Sequence, residues 1–129
     1  IRGKLFIDTT VPLMPPKVAT VQLPEEGSAA QISQNILGDE VRVVSAFQNI
    51  SAELLQSDHK IDCDVLVCGD KKESREEVIG LINTIGMKGW HAGVLANSAA
   101  VEAMTSVLIS INKHHSISHS GIKVTGLKD

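Results

Sequence analysis

The run from Val41 to Ala52, VRVVSAFQNISA, restricts the fold more than any other stretch of this chain. Val41, Val43 and Val44 are β-branched and lead into Ala46 and Phe47, after which the chain turns polar and small at Gln48, Asn49 and Ser51. A strand buried on both faces reads this way. In open α/β sheets, ligands lie in the crevice beyond the carboxyl ends of the strands. Gln48 to Ala52 is therefore the first candidate site, although the same residues also fit a strand followed by nothing more than a helix start.

The segment before it completes a unit. Lys4 to Asp8, KLFID, is a short strand pattern whose polar end, Asp8-Thr9-Thr10, again points towards a crevice. Val11 to Pro16 then holds three prolines in the five residues from Pro12 to Pro16, which forbids a helix and favours a stiff excursion suited to walling a flat ring. Ser28 is a plausible N-cap for a helix Ala29 to Leu37, with Ala29, Ile32, Ile36 and Leu37 at helical spacing and Gly38 at the position past the end that glycine favours. Strand, loop, helix and strand make a βαβ unit, and a parallel pairing with a right-handed crossover is expected from it.

Further along, Ser51 to Gln56 predicts a short helix capped by Asn49 or Ser51, and Asp58-His59-Lys60 a polar loop with His59 solvated. Asp64 to Gly69 is the next strand. Asp70 leads into a helix through Ile85, with Glu73, Glu76 and Glu77 favourably placed near its start and Val78, Leu81, Ile82 and Ile85 as its apolar face. Gly89 to Leu95 predicts a short strand carrying His91. Asn97-Ser98 then caps a long apolar helix from Ala99 to about Lys113, with Val101, Met104, Leu108 and Ile111 on one side. Gly121 to Leu127 closes as a strand or an extended tail.

Composition excludes several classes. The 43% of hydrophobic residues suits a packed core, and with 2% aromatics that core must be aliphatic. A net charge of −3 without a basic stripe argues against nucleic acid. The longest helical pattern is interrupted by Glu102, Thr105 and Ser110, so no membrane span is expected. The chain begins at Ile1 and enters a strand at once, which predicts a missing upstream piece or a processed product; nothing in it reads as a signal peptide. Cys63 and Cys68, five apart in one predicted strand, point to opposite faces and do not bridge, which fits free thiols in a reducing cytoplasm. His114, His115 and His119 read as cations at a helix end rather than as metal ligands, and no metal is expected.

No G-x-G-x-x-G, P-loop, nucleophile elbow or triad spacing occurs, so no catalytic residue is assigned. What the chain does carry is a series of words, GKLFIDTTVP, SAAQISQNILGDEVRVVSAFQNISA, DVLVCGD, GVLANSAAVEAMTSVLISIN and SGIKV, in an order that resembles the NADPH-dependent reductases of the deazaflavin coenzyme F420. The similarity spans nearly the whole chain but only the later part of that family; the N-terminal portion with the glycine-rich turn has no counterpart. The resemblance implies an α/β fold made of the C-terminal portion of a Rossmann-type parallel sheet plus a small α/β lobe with the long apolar helix. Residues 1–56 would close the dinucleotide-binding domain, and 57–129 would form a lobe for substrate or oligomerisation.

The resemblance further implies that NADP places its nicotinamide against Val11, Pro12 and Ala52. Gln48, Asn49, Ile50 and Ser120 would hold the deazaflavin, and hydride would pass directly between the stacked rings. Such a transfer needs positioning and a dry pocket rather than a protein acid or base, which accounts for the missing catalysts. Gln48 stands where deazaflavin users carry a histidine. The SAF-x-N/T-x-SA pattern is also similar to the cytoplasmic domain of six-transmembrane epithelial metalloreductases, so a flavin is the alternative acceptor. The expected protein is a cytoplasmic oxidoreductase, a homo-oligomer acting on small redox cofactors. Without the glycine turn, residues 1–129 alone are not expected to bind NADPH tightly. The alternative from another class is a non-catalytic oligomerisation or ligand-binding module.

Overall fold

The computed structural model describes residues 2–58 and 60–126, so His59 and Leu127 fall outside the described residues. Four strands form one sheet in the order β1 (Leu5–Asp8), β2 (Arg42–Ser45), β3 (Asp64–Gly69), β4 (Lys88–His91). The helices are α1 (Ala29–Leu37), α2 (Ala52–Gln56), α3 (Lys72–Thr84) and α4 (Ser98–His115), the last entered through a 3₁₀ turn at Leu95–Asn97. With helices packed on both faces of the sheet, this is a Rossmann-like α/β arrangement.

The βαβ unit forms as its residues dictate. Ser28 is extended and its Oγ accepts from Gln31 N at 3.0 Å. Gly38 ends α1 at φ +85°, a conformation that costs a side-chain-bearing residue about 1–2 kcal/mol. β1 and β2 then pair in parallel, from Leu5 opposite Arg42 to Asp8 opposite Ser45.

β2 is covered on both sides. Val43 joins Ala30, Val41 and Leu95 beneath α1, whereas Val44 joins Val65, Val67, Val78, Ile82 and Met87 beneath α3. Burying each such side chain is worth roughly 1.5–3 kcal/mol, so these two aliphatic layers supply the core that three aromatic residues could not.

The sheet reverses where the sequence does not announce it. β2 and β3 are antiparallel, with Val44 opposite Gly69 and Ser45 opposite Cys68, and β3 and β4 are parallel again. The sheet expected to be parallel is mixed. β2 overlaps only the end of β3, with its carboxyl tip Ser45 opposite Cys68, and from there the chain runs on towards the start of β3.

Several apolar faces also differ from expectation. On α3, Val78 and Ile82 are buried but Leu81 and Ile85 are exposed, and on α1 Ile36 is exposed while Ala30 is buried. α4 has the expected length but buries Val101 and Leu108 with Ser98, Glu102 and Ser106, leaving Met104, Val107 and Ile111 exposed. Its inward face is thus partly polar, and the apolar character expected of the helix lies partly outside. Asn97 does not cap it; its side chain donates to Ala92 O at 2.8 Å. Cys63 lies just before β3 rather than within it, and both thiols are free. The closing segment is an extended tail, held by Asp64 N donating to Ile122 O at 2.7 Å.

Candidate functional site

At the end of β2 the backbone turns sharply. Phe47 takes φ +72°, a left-handed conformation that costs a non-glycine residue about 1–2 kcal/mol, and Ile50 N closes the turn on Phe47 O at 3.2 Å. The turn redirects the next two side chains. Gln48 Nε2 donates to Asp8 O at the tip of β1 at 2.7 Å. Asn49 Nδ2 donates to Val101 O of α4 at 3.0 Å and lies 3.2 Å from Thr105 Oγ1, whose hydroxyl donates to Gln48 O at 2.8 Å. The strain at Phe47 is offset by this clamp between two strand tips and a helix.

The clamp forms one wall of a cavity of about 310 Å³. Gln48, Asn49, Ile50 and Ser51 line one side, Thr105, Leu108, Ile109 and Asn112 of α4 the floor, and Ser118, His119 and Ser120 of the tail the far side. Ser120 is fixed there by its N–H on Asn112 Oδ1 at 3.0 Å and its hydroxyl on Leu108 O at 3.2 Å. Across the mouth, His119 Nε2 stands 3.5 Å from Glu53 Oε2. Gln48 is buried and its Oε1 has no hydrogen-bond donor, as is also true of Ser45 Oγ deeper in the sheet. A buried amide oxygen left without a donor costs about 1–3 kcal/mol.

Gln48, Asn49, Ile50 and Ser120, the residues that the resemblance implies for the deazaflavin, line one cavity. Pro12 lies nearby but apart, lining a narrow hollow of about 10 Å³ against Ala99, Glu102 and Ala103 on the other flank of α4. Val11 is half-buried and Ala52 is exposed at the start of α2; neither lines these two hollows. Thr105, Asn112 and Glu53 were not singled out from the sequence. A signal existed for Thr105, a polar residue in the middle of an apolar helix.

Glu102 is the other such intrusion. It is buried, with Oε1 accepting from Ala29 N at 2.6 Å and Oε2 from Ala30 N at 3.1 Å, so it caps α1 from α4. Burial pushes its carboxyl above the ordinary glutamate range, a rise opposed by the two backbone N–H groups.

The thiols offer no nucleophile. Burial raises Cys68 to about 11, and burial followed by the charges of Asp64 and Asp62 raises Cys63. At neutral pH a thiol-exchange reagent is expected to label Cys68 only as fast as the protein unfolds, with Cys63 slower than free cysteine. Immediate labelling of Cys68 in the folded chain, followed by mass spectrometry, would show that burial wrong. Among the described residues, no group of three or more His, Cys, Asp or Glu is placed to hold a metal ion, and no helix is long and apolar enough to cross a membrane.

No family model matches the chain. The F420-dependent NADP reductase of Methanocaldococcus jannaschii is 38% identical over 133 residues, covering 99% of this chain and 59% of the relative. Those of Methanothermobacter thermautotrophicus and Methanothermobacter marburgensis are each 35% identical over 136 residues, covering all of this chain and 58% and 60% of theirs. A crystal structure from Arthrobacter sp. FB24, described as a candidate F420-dependent NADP-reductase, superposes with a TM-score of 0.80 at 22% identity over 97% of this chain and 59% of that one. A protein of Sinorhizobium meliloti superposes with 0.61 at 18% identity, covering 97% and 55%. At those identities the two structures speak to the fold alone. Along its whole length, therefore, this chain is similar to the F420-dependent NADP reductases, and it spans 58–60% of the curated relatives it matches.

Proposed function

We propose that this chain forms the acceptor-binding part of an NADP-dependent oxidoreductase, with the 310 Å³ cavity holding the ring of coenzyme F420 or a flavin. The observation that carries this is the convergence of Gln48, Asn49, Thr105 and Ser120, polar side chains from three separate stretches of the chain, on one cavity. The pyrimidine edge of a deazaflavin or flavin carries an N–H between two carbonyls, a donor and acceptors that such polar side chains can meet. Asn49 and Ile50 shape the wall, and Ser120 closes it. Val11 and Pro12 follow Asp8 and Ala52 follows Gln48 in sequence, so the bond between Gln48 and Asp8 O ties together the two stretches proposed to meet the nicotinamide.

When bound, NADPH supplies a hydride and the ring accepts it together with one proton from solvent, so no protein group need change protonation. The chain's part is to position the ring and to exclude water. On this reading residues 1–56 close a dinucleotide-binding domain completed by a further N-terminal part, and 57–129 form the acceptor lobe, in a homo-oligomer working in the cytoplasm. The alternative, a non-catalytic oligomerisation or binding module, is favoured by exposed Met104, Val107 and Ile111 along α4. A strictly monomeric mass by light scattering would remove the reason for it.

The test is titration of the chain with coenzyme F420 and with FMN and, in the protein completed by its N-terminal part, NADPH-dependent loss of oxidised-ring absorbance. Gln48→Leu keeps the bulk but removes the polar amide, including the Nε2 bond to Asp8 O that fixes the wall, and should weaken ring binding about tenfold. Absence of binding and of turnover with both rings would sink the assignment.

A further inference from the structure

We propose that α2 is a lid over the first cavity, that of about 310 Å³ beside Gln48, and that the pair between His119 and Glu53 latches it, so that the charge on His119 sets how long a bound ring is held. The occupant rests on the ring reading above, whereas the latch rests on geometry alone.

Among the four helices, α2 has the least to hold it. It is five residues long, well under the roughly 12–15 residues at which a helix becomes even marginal in water by itself, so packing has to supply its stability. Packing supplies little: none of its residues is buried, Leu54 is half-buried and Leu55 is exposed. Ser51, at its N-cap, makes no side-chain bond to it. By contrast α1 buries Ala30, α3 buries Val78 and Ile82, and α4 buries Val101 and Leu108. Opening is cheapest where few apolar contacts are lost. α2 can therefore swing out while the β2 tip, tied to α4 through Asn49 and Thr105, stays closed.

The tie at the mouth is ionic. Glu53 Oε2, in the first turn of α2, stands 3.5 Å from His119 Nε2 across the opening. His119 belongs to the tail, which is anchored without help from α2: Ser120 N donates to Asn112 Oδ1, and Asp64 N donates to Ile122 O. The pair thus fastens a loosely held helix to a fixed strap. Among the described residues, Glu53 and His119 are the only ionisable side chains lining the cavity. Those facing His119 from α4 (Thr105, Leu108, Ile109 and Asn112) and beside it in the tail (Ser118 and Ser120) are uncharged. Lys113, His114 and His115, at the end of α4, are exposed and do not line the cavity.

Histidine ordinarily changes charge between about pH 5 and 8, and a carboxylate is ionised over most of that range. The latch is accordingly an ion pair at the acid end and a neutral contact at the alkaline end. The polar groups of the walls are committed within the chain, Gln48 to Asp8 O, Asn49 to Val101 O and Ser120 to Leu108 O, so a pH change in this range alters the mouth and leaves the walls as they are. A solvent-screened pair of this kind is worth about two- to fivefold in an equilibrium constant.

The experiment has two arms. In the first, without ligand, amide exchange of α2 is followed by mass spectrometry at pH 6 and pH 8, each rate referred to its intrinsic value. Glu53→Gln should exchange α2 about two- to fivefold faster than wild type at pH 6 and equally at pH 8. His119→Lys, which keeps the charge, should be protected at both. In the second arm, release of coenzyme F420 or FMN from the loaded chain is timed by stopped flow at the same pH values. Relative to wild type, a ratio that cancels any titration of the ring itself, Glu53→Gln and His119→Gln should release the ring about two- to fivefold faster at pH 6 and at the same rate at pH 8, and His119→Lys should release it more slowly at pH 8. Joining Glu53→Lys with His119→Glu should restore slow release at both.

Equal α2 exchange in all variants at both pH values would overturn the latch and leave the ring reading standing. Altered exchange with unaltered release would overturn the lid, reducing the pair to a surface contact. Binding of neither ring would remove the ring reading and the lid with it.

Discussion

Glu102→Ala is expected to lower the unfolding free energy by about 3 kcal/mol, read as a fall in the denaturant midpoint at an unchanged slope. The side chain supplies both acceptors for Ala29 N and Ala30 N, in the first turn of α1, and no residue nearer in sequence does so. Alanine would leave two N–H groups facing a void at a largely buried helix start, where Ala30 and Ser28 are inaccessible to solvent and Ala29 is half-buried. Glu102→Gln keeps one acceptor and turns an NH₂ towards the other N–H, so it should lose about 1–2 kcal/mol. A cost below about 0.5 kcal/mol for the alanine variant would mean that α1 and α4 are not joined this way.

The pH dependence has a definite sign. Burial leaves the Glu102 carboxyl with a folded-state pKa above its ordinary value of 4.5. The folded state then holds more protons than the unfolded state across the interval from that ordinary value up to the raised one. Stability contributed by this residue therefore falls as pH rises through the interval. Wild-type protein should lose stability more steeply there than Glu102→Gln, and parallel slopes would contradict the burial.

The second large effect concerns the tail. A Cβ added at Gly121 would sit 2.7 Å from Cys63 Cβ and 3.0 Å from its Sγ, closer than carbon atoms pack, and one of the two contacts is with an atom that a change of rotamer cannot move. Gly121→Val must lift the tail from the start of β3 at a cost of about 1–3 kcal/mol. It should also carry Ser120 away from Asn112 and open the far wall of the first cavity, with ring binding weakened more than about tenfold. Cys63→Gly in the same chain removes the obstructing atoms and should restore much of the binding, whereas Cys63→Ser should not. Full ring affinity in Gly121→Val alone would mean that the tail is not part of the wall.

Much of the fold was legible because it depends on local chemistry. Ser28 and Gly38 bracket α1 at the predicted residues, and Asp64 to Gly69 is β3 as read, because caps, turns and β-branched runs act over a few residues. The direction of β3 was not legible. A strand covered on both faces looks the same whether its neighbour runs with it or against it, and the route of the connection through α2 decides. Exposed Leu81, Ile85 and Ile36 were assigned inward because spacing tells which residues share a face but not how wide the covered stripe is. The gathering of Gln48 to Ile50 with Ser120 followed from resemblance rather than from pattern. Glu102 and Thr105 looked like interruptions of an apolar helix, and only their partners, 73 and 57 residues away, explain them.

Those separations bear on how ligand binding and folding are linked. The wall of the first cavity is joined by contacts spanning 52 to 57 residues, between the β2 tip and α4. Because those contacts close loops of such length, the wall assembles only as the chain as a whole does. A ring bound there should therefore raise the melting temperature of the entire domain in one transition, and slow amide exchange in α1 and β3 as well as at the cavity rim.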